Sequence, residues 1–283
     1  MKVGLLFNTD PLPGSALGSF ARDAEQAGFD RLWVPELFGR EPFVTAGALL
    51  HATSTIGVAT GIANVYVRDA MATKAAAATL AELSGGRFEL GLGVSNTVGN
   101  TLRGHEWLPP VAKLAAFFDA LEAAQLSFKS APVPVYVAAH GPRLMAFAAA
   151  RADGAMTYLA TAAYNAAARK SLGANQQLIV VQPTLINDSA EHARRIGRKA
   201  VSVYMPLANY HRAWLAQGWA RSDFADGGSD RFIDALINWG SVSAVRARLA
   251  QHAAAGVDQV VLIPLNVDAL RRPDLGLLAQ AIR

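Results

Sequence analysis

The chain has 283 residues, 52% of them hydrophobic and 17% charged, with a formal net charge of +4; this supplies ample core for a large α/β unit and excludes a disordered chain. It has no cysteine, which rules out disulfides, thiolate nucleophiles and cysteine-ligated metals and suits a reducing, cytoplasmic setting. The basic residues are scattered rather than interleaved with aromatics, so no nucleic-acid partner is expected, while the mild positive excess favours a small anionic ligand.

In chain order, MKVGLLFNTD opens with an apolar run too short for a signal-peptide core and reads as a first strand. No stretch of membrane-spanning length lacks a charge or a turn signal, so no membrane partner is expected. Predicted strands cover 3–8 (VGLLFN), 31–36 (RLWVPE), 56–63 (IGVATGIA) and 88–94 (FELGLGV). They continue over 134–139 (PVYVAA), 154–159 (GAMTYL), 178–186 (LIVVQPTLI) and 259–265 (QVVLIPL). Helical stretches such as SALGSFARDAEQAGF and SVSAVRARLAQHAAAG lie between them, several stopped by a glycine. Continuous apolar strands alternating with helices predict parallel strands covered on both faces. Eight such units fit an α/β fold of the (β/α)8 TIM-barrel type, a single domain over 1–283, better than a doubly wound sheet. Pro183 argues for a bend or an early end in the seventh strand, and the long interval before the eighth predicts an insertion carrying extra helices.

In such a barrel ligands bind at the C-terminal ends of the strands. There ATGIANVYVRD passes through Gly61 and stays extended, as if the strand bulged outward. LGLGVSNTVGNTLRGHEW is glycine-rich and long enough for a lid; its glycines lack the spacing of a dinucleotide fingerprint, and no helix is expected directly after them. VAAHGPRL ends a strand at His140 and turns at Gly141-Pro142 into a helix, with Arg143 beside the turn. That is either an ordinary βα turn or a helix N-terminus offering amides to an anion. Glu36 ends a strand as either a functional carboxylate or a cap or ion pair. His105 and His140 fall at the active face, whereas His51, His192 and His252 lie in helical patterns. The histidines have no metal-ligand spacing, no serine sits in a nucleophile elbow, and no carboxylate pair stands out, so no metal is expected. A mouth rich in turns and amides but poor in nucleophiles suits a cofactor that brings the reactivity.

ATGIANVYVRD with LSGGRFELGLGVSN, and VYVAAHGPRLMAFAAARADG, together resemble the luciferase-like family of flavin and deazaflavin oxidoreductases. The likeness runs from LLFNTD to VVLIPL and is weakest over 187–225; GGSDRFIDALINWG adds similarity to the branch that uses the deazaflavin coenzyme F420. The resemblance implies a barrel with the tricyclic cofactor across its mouth and a non-prolyl cis peptide at Gly61-Ile62 backing the central ring, next to Ala63. It implies that Ala138, Ala139, His140 and Gly141 hold the phosphate side, with Arg143 near and Thr157 and Tyr158 close by. Ser95 and Asn96 would face ring or substrate, and Glu36 and Asn64 would flank the ring's polar edge. Sugar-phosphate dehydrogenases of the family carry an acid–histidine pair where this chain has Glu36-Leu37, which disfavours alcohol oxidation by that route. The resemblance therefore implies an F420-dependent oxidoreductase reducing a small unsaturated or carbonyl substrate, with Glu36, His105 or Tyr66 as candidate catalytic groups. It is expected to be a homodimer. The alternatives are an FMN-dependent monooxygenase and a non-catalytic flavin-binding protein.

Overall fold

All eight predicted apolar runs become parallel strands in the computed structural model, which describes residues 1–268 and 272–283. The chain runs β1 (Lys2–Leu6), α1 (Leu17–Ala27), β2 (Arg31–Val34), α2 (Pro42–His51), β3 (Gly57–Thr60), β4 (Ala63–Asn64), α3 (Ala70–Leu83) and β5 (Phe88–Gly93). It continues through α4 (Thr97–Leu102), α5 (Pro110–Ala123), β6 (Val135–Ala138), α6 (Pro142–Arg151), β7 (Gly154–Tyr158), α7 (Ala162–Arg169) and β8 (Gln177–Ile186). The last part holds α8 (Ala190–Val201), α9 (Ala208–Ala216), α10 (Asp230–Leu236), β9 (Asn238–Gly240), α11 (Val242–Ala254), β10 (Gln259–Pro264) and α12 (Leu275–Ile282). Strand order is β10-β1-β2-β3-β5-β6-β7-β8, and β8 pairs back onto β10, so eight parallel strands close into a barrel. The registers, such as Lys2 with Gln259, Gly4 with Arg31 and Tyr136 with Gly154, are parallel throughout.

Alternation along each strand divides the apolar residues between two cores. Leu32, Val58, Leu90, Val137 and Val180 face outward and pack with helix residues such as Phe20, Leu49, Leu114 and Phe118. Their neighbours Trp33, Ala59, Tyr136, Val181 and Val261 fill the barrel, with Leu6, Ile62, Tyr158 and Ile263 packed against them. The ion pair Arg31–Glu89 (2.6 Å) lies at the opposite end from the mouth, near the strand starts. Burial pushes the Glu89 carboxyl up, against the opposing pull of Arg31.

Three expectations need correction, and one is extended. The third predicted strand does not run unbroken over 56–63: it stops at Thr60 and resumes as β4. β8 does not end early at Pro183 but continues to Ile186. That proline lies between Val181, the last partner of β7, and Thr184, the first partner of β9. Among the described residues one edge of β8 has no strand partner there, so a missing N–H is tolerated. A helix, α4, does open directly after the 91–96 glycine segment, because the Asn96 side chain caps it by accepting from Gly99 N at 2.8 Å. The interval before the last barrel strand carries a ninth short strand as well as helices α8, α9 and α10.

Candidate active site

The mouth is shaped first by how β3 leaves β5. The two pair through Ala59 with Glu89, and the Thr60 hydroxyl then serves Gly91 twice, donating to its carbonyl (2.7 Å) and accepting from its N–H (2.9 Å). After a cis peptide at Gly61-Ile62 the chain rejoins β5, with Ala63 opposite Leu92 and Asn64 opposite Gly93. Four steps on one strand thus match three on the other, which is a β-bulge. Gly93 lets the Ile62 side chain lie across the end of β5: a Cβ at 93 would fall 2.8 Å from Ile62 Cδ1 and 3.2 Å from the Ala138 Cβ. Ile62, Gly93 and Ala138 therefore form one continuous apolar floor.

Glu36 sits behind this bulge with both carboxylate oxygens engaged. Arg68 donates to Oε2 at 2.5 Å and to Oε1 at 2.7 Å, and Asn64 N donates to Oε2 at 2.6 Å. Arg68 also reaches the Asn64 carbonyl (3.1 Å) and Glu41 (3.1 Å), the capping residue of α2, and lies over the Phe43 ring. The Asn64 side chain accepts from Tyr66 N and donates to Asn100 Oδ1 (2.8 Å), and Asn100 holds the Val94 carbonyl (2.7 Å). Tyr66 stacks on Trp107, and its hydroxyl accepts from Leu108 N at 2.9 Å while lying 3.3 Å from the Leu108 carbonyl. The Arg103 guanidinium donates to the Leu37 carbonyl and covers the Phe38 ring. The loops after β2, β4 and β5 are thus tied to one another. Beside them, Asn8, Asp10, Leu37, Phe38, Gly39 and Arg40 line an open cleft of about 660 Å³ at the ends of β1 and β2.

Across the floor lies the start of α6. Most helices at this face begin under a side-chain cap, such as Glu41, Asp69, Asn96 and Thr161. At α6 the capping position is Gly141, with φ +89° and ψ 169° and no side-chain cap, and Pro142 follows. The Gly141 N–H is spoken for, donating to the Tyr164 hydroxyl at 3.2 Å. The amides of Arg143 and Leu144, at the next helical positions, carry the partial positive charge of the helix end. His140 is half-buried against the Tyr210 ring (5.0 Å), and burial pushes its pKa down to about 4. At neutral pH it is an uncharged imidazole, able to donate one hydrogen bond but carrying no cation to an anion.

Tyr210 comes from the insertion between β8 and β9, which forms a second apolar cluster around Trp214, Phe224 and Phe232. Gln217 fastens the insertion to the end of β7, accepting from Thr161 N and donating to the Leu159 carbonyl. Tyr158, Tyr204 and Tyr210 pack edge-on or tilted, and burial pushes all three hydroxyls up, so they remain protonated donors.

Among the sequence-predicted residues, Gly61, Ile62, Ala63 and Asn64 form the bulge, and Ala138, Ala139, His140 and Gly141 lie beside it around the α6 turn. Tyr158 faces the barrel interior below the insertion. Thr157 points the other way: its hydroxyl donates to Asn165 Oδ1 (2.8 Å) in a buried chain that continues to His252, outside the barrel. Ser95 is exposed in a left-handed conformation, Asn96 is engaged as a helix cap, and Arg143 is exposed. His105 is half-buried beside the Tyr66 ring. Sequence reasoning passed over Arg68, Asn100, Tyr164 and Tyr210. Arg68 had one available signal, a charge of opposite sign to Glu36 at the end of an adjacent strand. Tyr210 had none, because the insertion's placement follows from packing.

An apolar floor beside a helix N-terminus can accept a planar ring system with an anionic tail. The family model for luciferase-like monooxygenases matches residues 5–259. A 5,10-methylenetetrahydromethanopterin reductase of Methanolobus tindarius is 29% identical over 163 residues, 51% of this chain and 50% of that protein. The chain spans about half the length of the curated relatives it matches. Among solved structures, an F420-dependent tetrahydromethanopterin reductase of Methanopyrus kandleri superposes with a TM-score of 0.73 at 16% identity, covering 99% of this chain and 97% of that one. An F420-dependent secondary alcohol dehydrogenase in complex with an F420-acetone adduct gives 0.78 at 15% identity, covering 100% and 99%. At those identities the likeness speaks for the fold. With its matched residues running from the first strand to the last and its bulged barrel mouth, the chain belongs to the luciferase-like monooxygenase family.

Proposed function

We propose that this protein is an oxidoreductase that binds coenzyme F420 across the barrel mouth and uses it to reduce a small unsaturated or carbonyl compound. One observation carries the reading: the apolar bulge floor (Ile62, Gly93, Ala138) adjoins the α6 turn at Gly141, which has no side-chain cap. The F420-dependent enzymes among the structural neighbours and the methylenetetrahydromethanopterin reductases among the relatives support it.

The residues present fit such a coenzyme. Glycines at 61, 93 and 141 keep the surface open where a Cβ would intrude or a backbone must turn left-handed. Gly61, Ile62, Ala63 and Asn64 would back the ring, and Ala138 to Gly141 with Arg143 would hold the phosphate side. When bound, the coenzyme supplies a hydride from a ring carbon. Ile62 would keep water from one ring face, and the α6 amides would orient the phosphate. Neither Glu36, held at both oxygens by Arg68, nor Tyr66, held by the Leu108 backbone, is placed to move a proton. The proton that completes a reduction would then come from His105, half-buried beside the Tyr66 ring, or from solvent in the open cleft beside Asn8 and Asp10.

The test is to titrate purified protein with F420 and with FMN while following coenzyme fluorescence, then to supply reduced F420 with a panel of enones, aldehydes and ketones. Micromolar F420 binding and substrate-dependent oxidation of the reduced coenzyme are expected. Tight FMN binding with F420 ignored overturns the cofactor; F420 binding with no turnover across the panel overturns the enzyme in favour of a binding protein.

A further inference from the structure

We infer that Arg68 is a positioning residue that acts through Glu36 to hold the ring-backing bulge in register; this rests on the proposed reading of the mouth as a coenzyme site. Glu36 looks like a catalytic acid in sequence, yet its two oxygens face a guanidinium fork at 2.5 and 2.7 Å rather than the cleft. Both side chains are nearly buried, 12% and 8% exposed. The planar fork matches a carboxylate at both oxygens, a geometry lysine cannot reproduce.

The pair sits where a tether has most effect. Glu36 also takes the N–H of Asn64, and Arg68 takes the Asn64 carbonyl, so both backbone groups of the residue that closes the bulge are held from behind. The Asn64 side chain passes the constraint to Asn100 and so to the Val94 carbonyl at the end of β5. On the other side Arg68 holds the Glu41 cap of α2. One arginine therefore links the loop after β2, the bulge, and the loop after β5. Thr60 fixes where the bulge begins, and Arg68 with Glu36 fixes where it ends.

The experiment compares wild type with Arg68→Lys, Arg68→Met and the double variant Arg68→Met/Glu36→Met, which leaves no buried unpaired charge behind, Glu41 being exposed. Three quantities are read: amide exchange over 61–68 without coenzyme, F420 affinity, and kcat against KM. Arg68→Lys should keep the fold while exchange over 61–68 rises. Its F420 affinity should weaken by about tenfold, the worth of one charged hydrogen bond, with substrate KM moving less. Unchanged exchange and affinity in Arg68→Lys overturn the inference, and so does global unfolding of that variant, which would make the pair a stability element. Should Arg68→Met fail to fold, the lysine and double variants carry the comparison. Should wild type itself not bind F420, the functional reading falls, and the exchange measurement still decides whether Arg68 holds the bulge.

Discussion

Replacing Gly141 by alanine separates two roles that the α6 turn can play. Its φ of +89° with ψ of 169° lies in a region that L-residues avoid, at a cost of about 1–3 kcal/mol. Among the described residues, chain neighbours aside, no atom lies within 4 Å of an added Cβ, so no side chain need move and the cost is conformational. Over 283 residues this lowers Tm by about 2–5 °C. The new methyl also enters open space at the turn, where on the proposed reading it competes for room with an anion at the α6 N-terminus. Losing one charge-assisted contact there weakens F420 binding by roughly tenfold to a hundredfold. Differential scanning fluorimetry reads the first effect, and a fluorescence titration of coenzyme reads the second. A lower Tm with unchanged affinity would refute the anion role and leave Gly141 as a turn residue. An unchanged Tm would refute the strain argument.

Three further outcomes are expected. Thr60→Val keeps the shape but strands both backbone groups of Gly91 in a buried site, costing about 2–4 kcal/mol; a chemical-denaturation curve matching wild type would discredit the account of how β3 leaves β5. Tyr66→Phe should lower kcat less than tenfold, because its hydroxyl serves Leu108 rather than a substrate; a loss of a hundredfold or more would restore it as a proton donor. His252, a residue of α11, is buried beside Asn165, and burial, with Arg248 second, lowers its pKa from 6.5 to about 4. The folded state resists the proton that the unfolded chain accepts, so stability is complete above about pH 6.5 and falls by up to about 3 kcal/mol as pH drops through 4. His252→Asn should flatten that slope in pH-dependent denaturation, with the half-buried His140, its pKa also lowered, contributing a slope that remains; an unaltered slope assigns the acid sensitivity elsewhere.

The sequence was legible where the physics is local. Eight apolar runs, each followed by a helix, determined a closed parallel barrel, because a strand covered on both faces must be apolar throughout and a parallel neighbour requires a crossover. Gly61 marked the bulge and Gly141-Pro142 marked the turn, since backbone shape is written in the residues that permit it. What the sequence could not decide was the destination of each side chain. Thr157 reads as a mouth residue, yet strand alternation turns it outward to Asn165. Glu36 reads as an acid, yet Arg68, from the neighbouring strand's loop, takes both its oxygens. Whether a carboxylate reacts or braces depends on which charge faces it across the barrel mouth, and the closure of the barrel sets that partner.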